Sequence, residues 1–83
     1  MSWEIAWSEA AINDMMHLDR KLRQRVNKAI ERLAETGYGD VKMLQGLSGY
    51  RLRVGNWRVR FARNNEARRV TIERVLPRSS AYR

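Results

Sequence analysis

The 83-residue sequence predicts an α+β domain of order βααβββ: a small antiparallel sheet with two N-terminal helices packed on one of its faces. Three observations carry that prediction. YRLRV (50–54) and WRVRF (57–61) alternate apolar and charged residues with the period-two pattern of half-buried strands. Leu22, Val26, Ala29, Ile30 and Leu33 instead recur at helical spacing. Helical patterning fills the first half of the chain and strand patterning the second, so the helices have one sheet to cover.

Each element follows in order. WEIAW (3–7) sets Trp3, Ile5 and Trp7 on one side of a first strand. Ser8 is a natural N-cap for a short helix over 9–18, with Ala11, Ile12, Met15 and Met16 facing inward. Asp19 can cap a second helix that runs to about Thr36, where Gly37 stands in the usual C′ place. Residues 37–49 hold four glycines and read as a loop, with a brief extended piece at Val41–Leu44. Gly55-Asn56 suits a type II′ turn between the strands at 50–54 and 57–63. A last strand covers 68–76. Its apolar residues Val70, Ile72, Val75 and Leu76 break strict alternation, which points to a bulge near Glu73–Arg74. Pro77 then stops the ladder. There are no repeats, low-complexity tracts or linkers, and one domain spans 1–83.

Composition narrows the function. Without cysteine the chain has no disulfide framework and no thiolate metal site, which fits a reducing compartment. The apolar runs are too short to cross a membrane as a helix, so a cytoplasmic location is expected. The net charge of +8 is lopsided. Residues 1–40 carry six basic groups against seven acids, whereas residues 41–83 carry eleven against Glu66 and Glu73. Ten of those eleven are arginines, whose planar fork matches phosphate. Nucleic acid therefore leads as partner, an acidic protein segment follows, and a membrane surface trails.

With Gly55-Asn56 as the loop, Arg53 faces Arg58 and Arg51 faces Arg60, while the apolar residues share the opposite face. Like charges directly across a sheet destabilise it. Such a face is either well solvated, paired with acids elsewhere, or kept for an anionic partner.

The run from Lys42 to Phe61, K-x-L-x-G-L-x-G-Y-R-L-R-V-G-x-W-R-V-R-F, resembles the RelE/ParE superfamily of toxins from bacterial type II toxin–antitoxin modules. The terminal V-L-P-R-S-S-A-Y-R (75–83) extends the resemblance over the whole chain, and its Arg78 and Tyr82 lean toward the RelE branch. The resemblance implies a ribosome-dependent mRNA endonuclease that works in the aminoacyl site, in contact with ribosomal RNA and without metal or cofactor. In such enzymes the ribose 2′-OH attacks its neighbouring phosphate, leaving a 2′,3′-cyclic phosphate and a 5′-hydroxyl. It also implies a cognate antitoxin that wraps the toxin, with operator DNA reached only through that antitoxin, and no membrane partner.

Matched motif to motif, Arg51 and Arg53 stand where RelE toxins carry basic site residues, and Arg58 stands at the family's near-invariant arginine. Arg78 and Tyr82 match the C-terminal basic residue and tyrosine. The expected roles are Arg58 on the scissile phosphate, Arg51 and Arg53 neutralising charge, and Arg78 assisting the leaving 5′-oxygen. Tyr82 stacks on a base or relays a proton, and Lys42 and Arg60 bind RNA. Two departures stand out. Arginines replace the lysines of well-known members, and Pro77 replaces a histidine, so no general base is evident; an arginine does not give up its proton.

The other conspicuous residues read as structure. Trp3, Trp7 and Trp57 lie on apolar faces and belong to the core, as do Met15 and Met16. His17 is a helix-end residue. The basic face of the second helix (Arg20, Lys21, Arg23, Arg25, Lys28) is either solvated or turned to RNA or antitoxin. Two rival functions remain beside the nuclease: a ParE-like inhibitor of DNA gyrase, and a non-catalytic member that only binds RNA or docks an antitoxin.

Overall fold

A computed structural model describes residues 2–44 and 49–80. Strand β1 (Glu4–Trp7) leads into α1 (Glu9–Met16) and α2 (Arg20–Thr36). Strands β2 (Val41–Met43), β3 (Tyr50–Val54), β4 (Trp57–Asn64) and β5 (Arg69–Pro77) follow, with a 3-10 turn at Arg78–Ser80. The five strands form one sheet in the order β1-β5-β4-β3-β2. The brief extended piece after the helices is thus a strand, pairing Val41 with Leu52 and Met43 with Tyr50.

The sheet is mixed rather than wholly antiparallel, a correction to the sequence reading. β1 runs parallel to β5, with Ile5 beside Val70 and Trp7 beside Ile72. Parallel neighbours need a long connection between them, and here the helices and the meander supply it. Local patterning fixes that β1 is a strand; it carries no information about which edge receives it.

The capping residues act as expected. Ser8 Oγ accepts the Ala11 N–H at 3.0 Å, and Asp19 Oδ1 accepts that of Leu22 at 2.8 Å. Gly37 closes α2 with φ of 75°, a left-handed conformation that costs glycine little. Arg23 folds back to donate from Nε to the Met15 carbonyl and from Nη2 to that of Leu18, satisfying the open end of α1. The core joins Ala11 and Met15 of α1 and Val26, Ile30 and Leu33 of α2 to Leu52, Val54, Val59, Phe61, Val70, Ile72 and Val75 of the sheet.

Ile12 and Met16 depart from the expectation, being 48% and 70% exposed. In a helix of eight residues only one stripe meets the sheet. The Ala11–Met15 stripe takes that place, and residues one position further on turn about 100° away.

The bulge is where alternation fails. Phe61 pairs with Ile72 and Arg60 with Arg74, so Glu73 is the extra residue. Beyond Trp7, β5 has lost its parallel neighbour, and α1 covers the edge instead. Ser8 N donates to the Ile72 carbonyl at 2.9 Å and Ser8 Oγ to that of Glu73 at 2.8 Å. Asp14 Oδ2 accepts the Val75 N–H at 2.9 Å. An uncovered row of strand N–H and C=O groups is thereby closed.

Candidate nucleic-acid interface

The β3–β4 register sets Val54 opposite Trp57, Arg53 opposite Arg58, Leu52 opposite Val59 and Arg51 opposite Arg60. Gly55 takes φ of 59°, which the first position of a type II′ loop requires. Because side chains alternate along a strand and Leu52, Val54, Val59 and Phe61 are buried against the helices, the four arginines share the other face. Tertiary pairing extends the array across the sheet. Lys42, Arg51, Arg60 and Arg74 form one row over β2, β3, β4 and β5. Neighbouring members of such a row sit on strands about 4.8 Å apart.

Burial across this face is uneven, which excludes a simply solvated surface. Arg58 is only 7% exposed, and its Nη1 donates to the carbonyls of Gly55 (2.8 Å) and Trp57 (2.9 Å). That guanidinium is locked against the hairpin turn, while Nε and Nη2 have no partner among the described residues. Arg51 Nη1 and Arg60 Nε are buried, also without a partner among the described residues. Arg53 stands at the open end, 3.9 Å from Asp40, with both side chains more than half exposed; this is a screened contact of small worth.

Arg74 leaves the row's chemistry. Its Nε and Nη2 donate to Asp14 Oδ2 (2.8 Å) and Oδ1 (3.1 Å). Burial pushes the Asp14 carboxyl up, but the Arg74 and Val75 hydrogen bonds and the Arg74 charge outweigh it, and its pKa lies below the ordinary value. The same bond and charge raise the pKa of Arg74 further. No local sequence signal marks this pair, whose members are sixty residues apart.

Of the remaining site residues, Lys42 is exposed at the β2 edge and directly beside Arg51. Arg78 is brought to the hairpin by its backbone N–H, which donates to the Asn56 carbonyl at 2.8 Å, so it stands next to the turn that anchors Arg58. Tyr82 lies outside the described residues. Glu73 is a residue the sequence reading did not assign. It is the extra residue of the β5 bulge, and its Oε1 lies 3.7 Å from where a Cβ on Gly49, just before β3, would stand. The broken alternation of β5 was the signal that could have located it.

Of the residues read as core, Met15 and the three tryptophans take that part and Met16 does not. Trp3, Trp7 and Trp57 are partly buried against the core. The Arg63 guanidinium lies 5.3 Å from the Trp3 ring centre and 5.6 Å from that of Tyr50. His17 sits at the end of α1, its Nδ1 2.7 Å from the Asn13 carbonyl and away from the arginine face.

Grooves open on opposite flanks of α2 among the described residues. An apolar one of about 410 Å³ runs between the helices, lined by Trp7, Ile12, Met15 and Met16 with Arg23, Gln24 and Asn27. On the other flank Arg25, Lys28 and Arg32 face the C-terminal end of β3 at Leu52, Arg53 and Val54. Among the described residues no helix is long and apolar enough to cross a membrane.

Residues 5–82 match the sequence family described as the ParE toxin of type II toxin–antitoxin system, parDE. The chain belongs to this family. No curated protein matches it in sequence. Several solved structures share its fold. The RelBE2 toxin–antitoxin complex of Mycobacterium tuberculosis is similar at 23% identity and a TM-score of 0.82, covering 94% of this chain and all of that one. The antitoxin–toxin complex RelB–RelE of Methanococcus jannaschii gives 26% identity and 0.74, over 93% and 94% of the two chains. A YoeB/ParE toxin from Agrobacterium tumefaciens gives 16% and 0.75, over 89% and 96%. This protein is thus a RelE/ParE-superfamily toxin of a type II toxin–antitoxin system. The toxin's two helices and five-stranded sheet are the superfamily's fold.

Proposed function

We propose that this toxin is a cytoplasmic, ribosome-dependent mRNA endonuclease whose site is the arginine face. One observation carries the reading: guanidinium N–H groups of Arg51 and Arg60 are buried side by side with no acceptor among the described residues. A buried donor without an acceptor costs about 1–3 kcal/mol, and a phosphate oxygen removes that cost. In-line attack of a ribose 2′-OH on its phosphate builds charge on the equatorial oxygens. Preorganised donors on rigid strands stabilise that charge.

Arg58 is held by the turn and offers its free edge to the scissile phosphate, while Arg51 and Arg53 neutralise charge. Arg60 and Lys42 continue the grip along the RNA. Arg78, beside the turn, assists the departing 5′-oxygen, and Tyr82 supplies a stacking ring or a proton relay. Glu73, in the β5 bulge beside Arg74, is a carboxylate that can take the 2′-OH proton. None of these steps calls on a metal or cofactor.

The apolar α1–α2 groove suits the apolar face of an antitoxin helix. The RelB–RelE and RelBE2 relatives are complexes of that kind, which supports a cognate antitoxin here. A second reading follows from the family itself, since it is named for ParE: a binding poison of DNA gyrase.

The deciding experiment maps mRNA 5′ ends after brief induction of the wild type and of Arg58→Ala. The nuclease predicts new 5′-hydroxyl ends inside translated codons that vanish in the variant, because loss of one such donor costs about 2.7–4 kcal/mol of barrier. Growth arrest with intact mRNA and altered supercoiling would transfer the assignment to gyrase. Antitoxin binding without arrest would leave a docking module.

A further inference from the structure

The flank of α2 that faces β3 carries a second basic feature, apart from the sheet face. A groove of about 380 Å³ opens there, and Arg25, Lys28 and Arg32 line one wall. Their i, i+3, i+7 spacing puts them on one stripe roughly 10 Å long. The other wall is the C-terminal end of β3, with Arg53, and the segment carrying Tyr38 and Asp40. Among the described residues no carboxylate pairs with the three helix cations, and the one acid in the groove lies 3.9 Å from Arg53. Like charges on one helix stripe repel, so the stripe weakens α2 unless something anionic lies along it.

Two details suggest what that is. Tyr38, which lines the groove, is 74% exposed and offers an aromatic surface on which an unstacked base can lie. The groove also meets the arginine face at the hairpin turn. Arg25 packs on Gly55, its Nη2 2.9 Å from where a Cβ would stand, and Arg58 binds the carbonyl of that same glycine. Cations and a bare aromatic ring in one channel are the recognition chemistry of single-stranded nucleic acid. The apolar surface suited to a protein partner lies on the opposite flank of α2.

We infer that this groove is a second RNA site, which takes the sugar–phosphate backbone of a single strand and delivers it past the Gly55 turn to the arginine face. The inference rests on RNA being the toxin's substrate and adds where, and by which residues, it is first held.

The test measures anisotropy of a fluorescein-labelled, 2′-O-methylated RNA of about a dozen nucleotides, a length matched to single-strand sites. Methylation removes the attacking hydroxyl, so binding is read without cleavage. The variants are Arg25→Gln/Lys28→Gln/Arg32→Gln, its charge-keeping counterpart Arg25→Lys/Lys28→Arg/Arg32→Lys, and Arg58→Ala. Loss of three phosphate contacts should lower the slope of log affinity against log salt by about 2 and weaken binding more than tenfold at low salt. The charge-keeping variant should restore both, which separates lost charge from lost folding. A wild-type slope in the glutamine variant overturns the inference, as does a variant that loses only poly-glutamate binding, which would mark an acidic protein segment as the occupant.

The two readings can fail separately. Cleavage abolished by Arg58→Ala, with RNA binding indifferent to the groove, sinks the groove alone. Groove-dependent binding in a toxin that cuts no mRNA sinks the nuclease alone.

Discussion

Replacing Arg60 with methionine should make the free toxin more stable while weakening its hold on RNA. Arg60 Nε is buried without a partner among the described residues, and Arg60 stands directly opposite Arg51, whose Nη1 is in the same state. An unsatisfied buried donor costs about 1–3 kcal/mol. A like-charge cross-strand pair adds a few tenths of a kcal/mol to about 1. Methionine keeps an unbranched apolar stem at this position of β4 while removing the charge and the orphaned N–H. Allowing for imperfect packing, the gain should be about 1–2 kcal/mol, or roughly 4–16 °C in Tm for a domain of this size. The assay pairs urea and thermal unfolding, followed by circular dichroism, with the RNA binding and 5′-end mapping described above. RNA should raise the wild-type Tm, because a ligand that binds only the native state stabilises it, and should raise the variant's much less. A variant that melts below the wild type, or that cuts mRNA equally well, would refute the argument that these cations are held unpaired for a phosphate.

The Asp14–Arg74 clamp should behave in the opposite way. Asp14→Ala strands the Val75 N–H and frees Arg74, so stability should fall by about 2–4 kcal/mol in urea unfolding at neutral pH. The Asp14 carboxyl has its pKa lowered from 3.8 in the folded state, so its contribution is complete above that value and is lost as pH falls through the lower folded one. The gap between wild type and Asp14→Ala should therefore be constant near neutrality and narrow below about pH 4, where an unchanged gap would count against the clamp. Gly55→Ala forces a side chain into a left-handed conformation and against the Arg25 guanidinium. It should cost about 1–2 kcal/mol in the same unfolding assay and weaken RNA binding through both arginines that meet at that turn.

The parts of this toxin that local chemistry dictates were legible in its residues. The period-two runs at 50–54 and 57–61 with Gly55-Asn56 between them fix the hairpin, its register and the sharing of one face by Arg51, Arg53, Arg58 and Arg60. Ser8, Asp19 and Gly37 mark the helix ends, because capping is settled within three or four residues of the cap. Even the β5 bulge showed, as a broken alternation. The rest depends on residues far apart in the chain, which no local pattern records. The parallel docking of β1 on β5, the rescue of the β5 edge by Ser8 and Asp14, and the capture of Arg74 by Asp14 are of this kind. So are the uneven burial that separates Arg58 from Arg53 and the meeting of α2 with the hairpin at Gly55. Side-chain periodicity says which way an arginine points, but only packing decides how much water, and how many partners, it keeps.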